Sequence, residues 1–275
     1  LYLYCHKHKP EKQWVLEMFD VEAAFLNAEL DQPTYIEWTQ GMEELGFISE
    51  EEKLEYCIQL TKAMYGNIDS PLRWMRTFTK FLIEELKLIQ SKTDPCILYK
   101  YKGNELILVL ALYVDDTLCL GQAKDIQWLY KSIETRFKIE RLGRLKKHLG
   151  IWYEWKEENG ETVIEASMPQ LINDIIKKYE EVTKKPAKNY STPGTPCKTL
   201  IKHQGEPKDI DNYRSIVGKI MYLTTKLAPE LSNASRDLAS HLSCPNESHW
   251  EALGRCVGYI KHTKFTTLKY RAPRE

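Results

Sequence analysis

The chain has 275 residues, 43% apolar, 28% charged and 11% aromatic, enough for a buried core in one large or two modest domains. That composition excludes disordered, collagen-like and long coiled-coil chains, and the longest apolar run, the nine residues Leu106 to Val114, is too short to span a bilayer. Net charge is zero but unevenly placed, with about eight excess acidic side chains in residues 1–120 and an equal basic excess in 121–275.

Seven cysteines without a C-x-x-C pair argue for a reducing, intracellular compartment and against a disulfide framework. No signal segment opens the chain, which begins with Leu1 and reads as an excised fragment.

In chain order, His6 to Lys9 reads as a frayed end. Gln13 to Phe19 is a short buried strand that ends on Asp20, and Val21 to Leu30 carries helical apolar spacing. Glu43 to Glu55 is an acidic surface loop or short helix. Ser70 and Pro71 start a helix, Ser as cap and Pro at the first position, and Leu72, Met75, Phe78, Phe81, Leu82 and Leu86 continue it to about Lys87. Cys96 to Tyr101 and Leu106 to Val114 form a hairpin across Gly103-Asn104, followed by Asp115-Asp116 and a strand from Thr117 to Leu120.

Lys124 to Phe137 is helical, and Ile151 to Trp155 and Thr162 to Ala166 flank the turn signal Asn159-Gly160. Pro169 to Tyr179 is an amphipathic helix. Pro186, Pro193, Pro196 and Pro207 mark residues 181–210 as a linker. Helices near 211–227, 230–242 and 246–262 and a strand near Thr267 to Arg271 close the chain. The mixture is α+β rather than a regular β-α-β alternation.

Asp115 and Asp116 stand between LILVLALYV and TLCLG, where an exposed loop would carry Gly, Asn or Ser. Two carboxylates at the tip of a buried hairpin repel each other unless a cation binds, and Asp20 ends another strand. Three carboxylates at neighbouring strand ends suit Mg²⁺, which prefers oxygen ligands. Two such ions about 3.5–4 Å apart stabilise the attacking and leaving oxygens of phosphoryl transfer.

Two basic runs, Arg136, Lys138, Arg141, Arg144, Lys146 and Lys147, then Lys177, Lys178, Lys184, Lys185 and Lys188, are either solvated faces or surfaces that track phosphates. Charge alone does not choose. His241, Cys244, His249 and Cys256 are zinc-ligand types, yet they fall in helical patterns and read as structural.

YVDD at Tyr113 to Asp116, with DVEAAFLNAEL at Asp20 to Leu30, resembles the reverse transcriptase of copia-type LTR retrotransposon polyproteins. QLTKAMYGNIDSPLRW (Gln59 to Trp74), RFKIERLGRLKKHLGI (Arg136 to Ile151), YRSIVGKIMYL and HWEALGRCVGYIKHT resemble further blocks of that family in the same order, so the resemblance covers most of residues 14–270. It departs from the family at Asn67, Ile68 and Asp69 (usually Leu-Lys-Gln), at Ala28 (usually Gly) and at Ala228-Pro229-Glu230 (usually Arg-Pro-Asp).

The resemblance implies a palm, an antiparallel sheet with packed helices, in residues 1–121 with partial fingers. The end of the palm and a thumb would follow in 122–190 and a connection-like helical region in 191–275, with most of the fingers and the ribonuclease H segments missing. It implies an RNA-directed DNA polymerase in which Asp20, Asp115 and Asp116 hold two Mg²⁺ ions, replaceable by Mn²⁺. A primer 3′-hydroxyl would attack the α-phosphate of a deoxynucleotide.

By the same resemblance, Val21, Phe25, Tyr65 and Gly66 would bind the nucleotide, Phe25 as an aromatic gate against a 2′-hydroxyl. Ser70, Pro71, Tyr113, Val114, Arg141, Arg144, Lys146 and Lys147 would contact template or primer. The implied partners are a primed RNA or DNA template, dNTPs and the rest of a polyprotein with ribonuclease H and integrase, with no membrane. The implied location is cytoplasmic, in a virus-like particle, with a nuclear phase. Two rival readings stay open: a silent remnant that keeps the fold and nucleic-acid binding, and an RNA-dependent RNA polymerase, against which Phe25 counts.

Overall fold

The computed structural model describes residues 1–195 and 199–273. The chain divides into two compact units, Leu1–Leu145 and Lys146–Glu275.

In the first unit, α1 (Tyr2–His8) leads into β1 (Trp14–Val21). After a 3-10 turn (Ala24–Asn27) come β2 (Glu29–Ile36), α2 (Glu52–Glu55), β3 (Ile58–Lys62) and α3 (Ser70–Glu84). Then follow β4 (Ile89–Gln90), β5 (Ile97–Lys102), β6 (Glu105–Tyr113), β7 (Asp116–Gln122), α4 (Ala123–Ile133) and β8 (Ile139–Arg144). Six strands form one antiparallel sheet in the order β4-β5-β6-β7-β1-β8, while β2 and β3 form a separate two-stranded ribbon.

Successive strand residues point to opposite faces, and the core follows that alternation. Phe19, Leu108, Leu110 and Cys119 pack with Trp74, Phe78, Phe81 and Leu82 of α3 and Ile126, Leu129 and Ile133 of α4. Trp14, Leu16, Val109 and Leu120 instead join Tyr2 and Cys5 of α1. The expected frayed end at His6 to Lys9 is therefore wrong: His6 stacks on Tyr2 and His8 packs on Tyr4 within α1.

The helix expected over Val21 to Leu30 does not form. Ala23 adopts φ 50°, the chain makes only the short turn, and Glu29 then pairs with Lys62. The β2–β3 register shifts between Glu29 and Thr34, the stretch containing Pro33, which has no amide to donate. Long-range pairing overrides the local apolar spacing here. Helix α3 forms where expected, but Ser70 does not cap it; its hydroxyl is buried and bonds Met64.

The second unit opens with β9 (Lys147–His148), β10 (Ile151–Glu158) and β11 (Glu161–Ser167), followed by α5 (Pro169–Thr183). Three more helices, α6 (Ile210–Lys226), α7 (Ser232–Ala239) and α8 (Glu247–His262), precede β12 (Leu268–Tyr270). The antiparallel sheet runs β12-β11-β10-β9, and the helices share one core through Ile175, Tyr213, Ile216, Ile220, Leu253 and Val257. No helix or strand lies between Thr183 and Ile210 among the described residues, as the prolines lead one to expect; Pro196, Cys197 and Lys198 lie outside the described residues.

The division after Leu145 does not coincide with boundaries at 121/122 and 190/191. β8 pairs with β1 and α4 packs under the first sheet, whereas α5 shares its core with α6 and α8. Among the described residues no helix is long and apolar enough to cross a membrane, and the six described cysteines are unpaired.

Candidate active site

The acidic pair sits at the end of the β6–β7 hairpin. Tyr113 pairs with Asp116 across it, leaving Val114 and Asp115 as a two-residue turn. Val114 adopts φ 55°, a region a β-branched residue rarely enters and one that costs about 1–3 kcal/mol unless the surroundings impose it. The surroundings do impose it. The Trp74 indole Nε1–H donates to the Val114 carbonyl at 2.6 Å, the Val21 amide donates to the Asp115 carbonyl at 3.2 Å, and the Asp116 amide donates to Asp115 Oδ1 at 3.2 Å.

Strand β1 brings the third acid alongside. Asp20 is in register with Asp116 on one side and with Glu140 of β8 on the other. Its carboxyl is pushed above the ordinary carboxylate range, first by burial and then by repulsion from Asp115, Asp116, Glu140 and Glu22. A bound cation would relieve that repulsion, and the donors are all oxygen, so the residues fit a hard divalent ion. Among the described residues no three acidic, His or Cys side chains are already drawn into a cage. Mg²⁺ is commonly held by only one or two carboxylates and completed by water and substrate phosphate.

Two further expected site residues meet each other. Phe25, on the 3-10 turn after β1, lies with its ring centroid 4.5 Å from that of Tyr65. Asn27 holds that turn by donating to the carbonyls of Glu22 and Ala23. Gly66, at φ 102°, lets the chain reverse after Tyr65, and Ser70 ties the loop down by bonding both the amide and the carbonyl of Met64. Tyr65 and Tyr113 are more than half exposed.

Residues 8–193 match the family described as reverse transcriptase (RNA-dependent DNA polymerase). The chain belongs to that family. The Retrovirus-related Pol polyprotein from transposon TNT 1-94 of Nicotiana tabacum is 27% identical over 257 residues, 90% of this chain and 18% of the polyprotein. The corresponding polyprotein from transposon RE1 of Arabidopsis thaliana is 27% identical over 257 residues, 92% of this chain and 16% of its own length. The putative transposon Ty5-1 protein YCL074W of Saccharomyces cerevisiae is 27% identical over 255 residues, covering 92% of this chain and 78% of that protein. The chain thus spans less than a fifth of the plant polyproteins it matches. The copia-type resemblance of the sequence is supported by these transposon relatives, and reverse transcriptases generally use divalent metals.

Not every residue expected at the site is free to act there. Val21 is buried in the core with its amide bonded to Asp115, and Ser70 is fully buried, so neither presents a side chain to a nucleotide or template. Arg141 makes a two-pronged ion pair with Glu134, at 2.8 and 2.6 Å, and lies over the Tyr130 ring. Arg144 is exposed in the first unit; Lys146 and Lys147 begin the second, where Lys147 lies over the Trp152 ring.

His249 caps α8: Nδ1 accepts from the Asn246 amide, and Nε2 lies 2.9 Å from the Ile201 carbonyl, so it donates there as a neutral ring. His241 stacks on it at 4.0 Å. Both His249 nitrogens are engaged in structure.

Sequence reasoning missed Trp74 and Glu140, and also Arg76 and Lys80, one turn apart on α3. The last two line a groove of about 760 Å³ with Leu26, Asn27 and Lys62, and its wall also carries the carboxylates of Glu29, Asp31, Glu84 and Glu85. Trp74 had a signal, the Ser-Pro-x-x-Trp spacing; Glu140 is the lone acid in a basic run.

Proposed function

We propose that this chain carries out RNA-directed DNA synthesis as part of a retrotransposon Pol polyprotein. The observation that carries the reading is the convergence of Asp20 with Asp115 and Asp116 through the β1–β7 register and the Val21–Asp115 backbone bond. In this reading the six-stranded sheet with α3 and α4 is the palm, the α5 region belongs to the thumb, and α6 to α8 form the connection-like region.

Asp20, Asp115 and Asp116 would hold two Mg²⁺ ions, or Mn²⁺ in their place. When bound, these ions stabilise the attacking 3′-oxygen and the leaving pyrophosphate oxygen. The protein's own part is placement. Phe25, backed by Tyr65, bounds the space for the sugar; the backbone at Gly66 lines it; Tyr113 and the Val114 backbone stand beside the primer end. Pro71, exposed on the first turn of α3, faces the template, and Arg76 and Lys80 follow on the same helix as two further cationic side chains. Arg144, Lys146 and Lys147 supply sequence-independent phosphate affinity. Its natural partners are a primed RNA or DNA template and dNTPs, with ribonuclease H and integrase segments of the polyprotein, in a cytoplasmic virus-like particle with a nuclear phase.

Primer extension on poly-rA/oligo-dT with Mg²⁺, beside an Asp115→Asn, Asp116→Asn control, tests this. Incorporation that the control abolishes is expected. Silence in both, with primer–template still bound, would favour a silent remnant instead.

A further inference from the structure

We propose that Trp74 is a positioning residue for the acidic pair: its indole N–H holds Val114 in the left-handed conformation that aims Asp115 and Asp116 toward Asp20. The inference rests on the reading of these aspartates as the catalytic set. It goes beyond that reading by giving the set's geometry a cause outside the hairpin.

The indole is not free to choose its orientation. Trp74 is 1% exposed, stacks on Phe78 at 4.9 Å and 13°, and meets Phe137 edge-on at 5.4 Å. Phe137 in turn contacts Phe78 and Phe81 edge-on, at 5.5 and 5.2 Å. Phe78 of α3 and Phe137 of the segment before β8, the latter braced by Phe81, therefore lock the indole, and its one polar atom reaches the Val114 carbonyl at 2.6 Å. Hairpin tips of two residues are normally served by Gly, Asn or Asp at positive φ. Val114 lacks that freedom, so the turn depends on an outside tether. Of the three hydrogen bonds described above at the turn, this one alone comes from a helix and acts on Val114 itself.

The test compares the wild-type chain with Trp74→Phe, which keeps a ring in the box and removes the donor, and with Trp74→Phe/Val114→Gly. Glycine adopts positive φ without strain, so the tether becomes unnecessary. Three readouts are taken on the full chain: amide exchange over residues 112–117, Mn²⁺ affinity by electron paramagnetic resonance, and primer-extension kcat and KM for dTTP.

Trp74→Phe is expected to lose protection at the turn, to bind Mn²⁺ about tenfold or more weakly, and to lose about tenfold or more in kcat at a KM within about twofold of wild type. Val114→Gly is expected to restore most of each loss. Wild-type exchange and Mn²⁺ affinity in Trp74→Phe would overturn the proposal, as would a loss that Val114→Gly leaves unrepaired, since that pattern belongs to general core damage. A wild-type chain that incorporates nothing refutes the polymerase reading. Turn exchange with its rescue, read without metal or substrate, still decides for or against the tether.

Discussion

The ring of Phe25 lies 4.5 Å from that of Tyr65, their planes 48° apart. One comes from the turn after β1 and the other from the loop before α3, and together they make a single aromatic wall. Tyr65 stays more than half exposed, so the pair is not ordinary core packing.

If the wall excludes a ribose 2′-hydroxyl, Phe25→Ala should relax discrimination against ribonucleotides by tenfold or more, the scale of about 1–3 kcal/mol for a reshaped pocket. Tyr65→Ala should give a smaller relaxation and add little on the Phe25→Ala background, because contacting residues are not additive. Single-nucleotide incorporation with dTTP and UTP measures both. Unchanged discrimination in Phe25→Ala would remove it from the site.

Repulsion within the acidic cluster predicts a trade between stability and function. Asp115→Asn should abolish incorporation yet raise the metal-free melting temperature slightly. The gain should be below about 1 kcal/mol, because the groups are only partly buried, or roughly 1–3 °C. The Asp20 carboxyl, followed by carbon NMR, should titrate lower in that variant. A fall in melting temperature would show that Asp115 serves the fold instead.

Glycine spacing in α8 predicts where the second unit tolerates no side chain. A Cβ on Gly258 would lie 1.9 Å from the Lys188 carbonyl oxygen and 2.6 Å from Tyr190, and one on Gly254 would lie 2.2 Å from the Tyr179 hydroxyl. Backbone cannot step aside as a side-chain tip can. Gly258→Ala should therefore destabilise by about 1–3 kcal/mol or more, despite the roughly 1 kcal/mol gained in helix propensity, and Gly254→Ala by less. Urea unfolding of the two variants ranks them; equal or smaller loss in Gly258→Ala would mean that the crossing at Lys188 is loose.

Acid should loosen the β12 edge. Lys156 and then Lys269, with Thr267, bond the buried Glu165 carboxylate and pull it from 4.5 down to about 2. The native chain keeps this charge while the unfolded chain loses it near pH 4.5, so the contribution is complete above pH 4.5 and is lost as pH falls through about 2. Glu165→Gln should flatten the stability slope below pH 4.5 in acid titrations followed by tryptophan fluorescence. An unchanged slope would assign the acid sensitivity elsewhere.

The sequence by itself determined what depends on neighbours in the chain. The period of Leu72, Met75, Phe78 and Leu82 gives α3, the Gly103-Asn104 and Asn159-Gly160 turns give two hairpins, and the ordered motifs give the family. Asp20, Asp115 and Asp116 were legible for the same reason, since carboxylates interrupting apolar strands stand out locally. What needed the tertiary structure lies across long separations. The stretch after Asp20 becomes a turn and a strand because Glu29 pairs with Lys62, Ser70 bonds Met64 rather than capping its helix, and His249 caps α8 against Ile201. The left-handed Val114 is set by Trp74, forty residues away. Periodicity records which face of an element is apolar; it does not record which distant carbonyl a buried donor will find, because that choice is made only when the sheet closes.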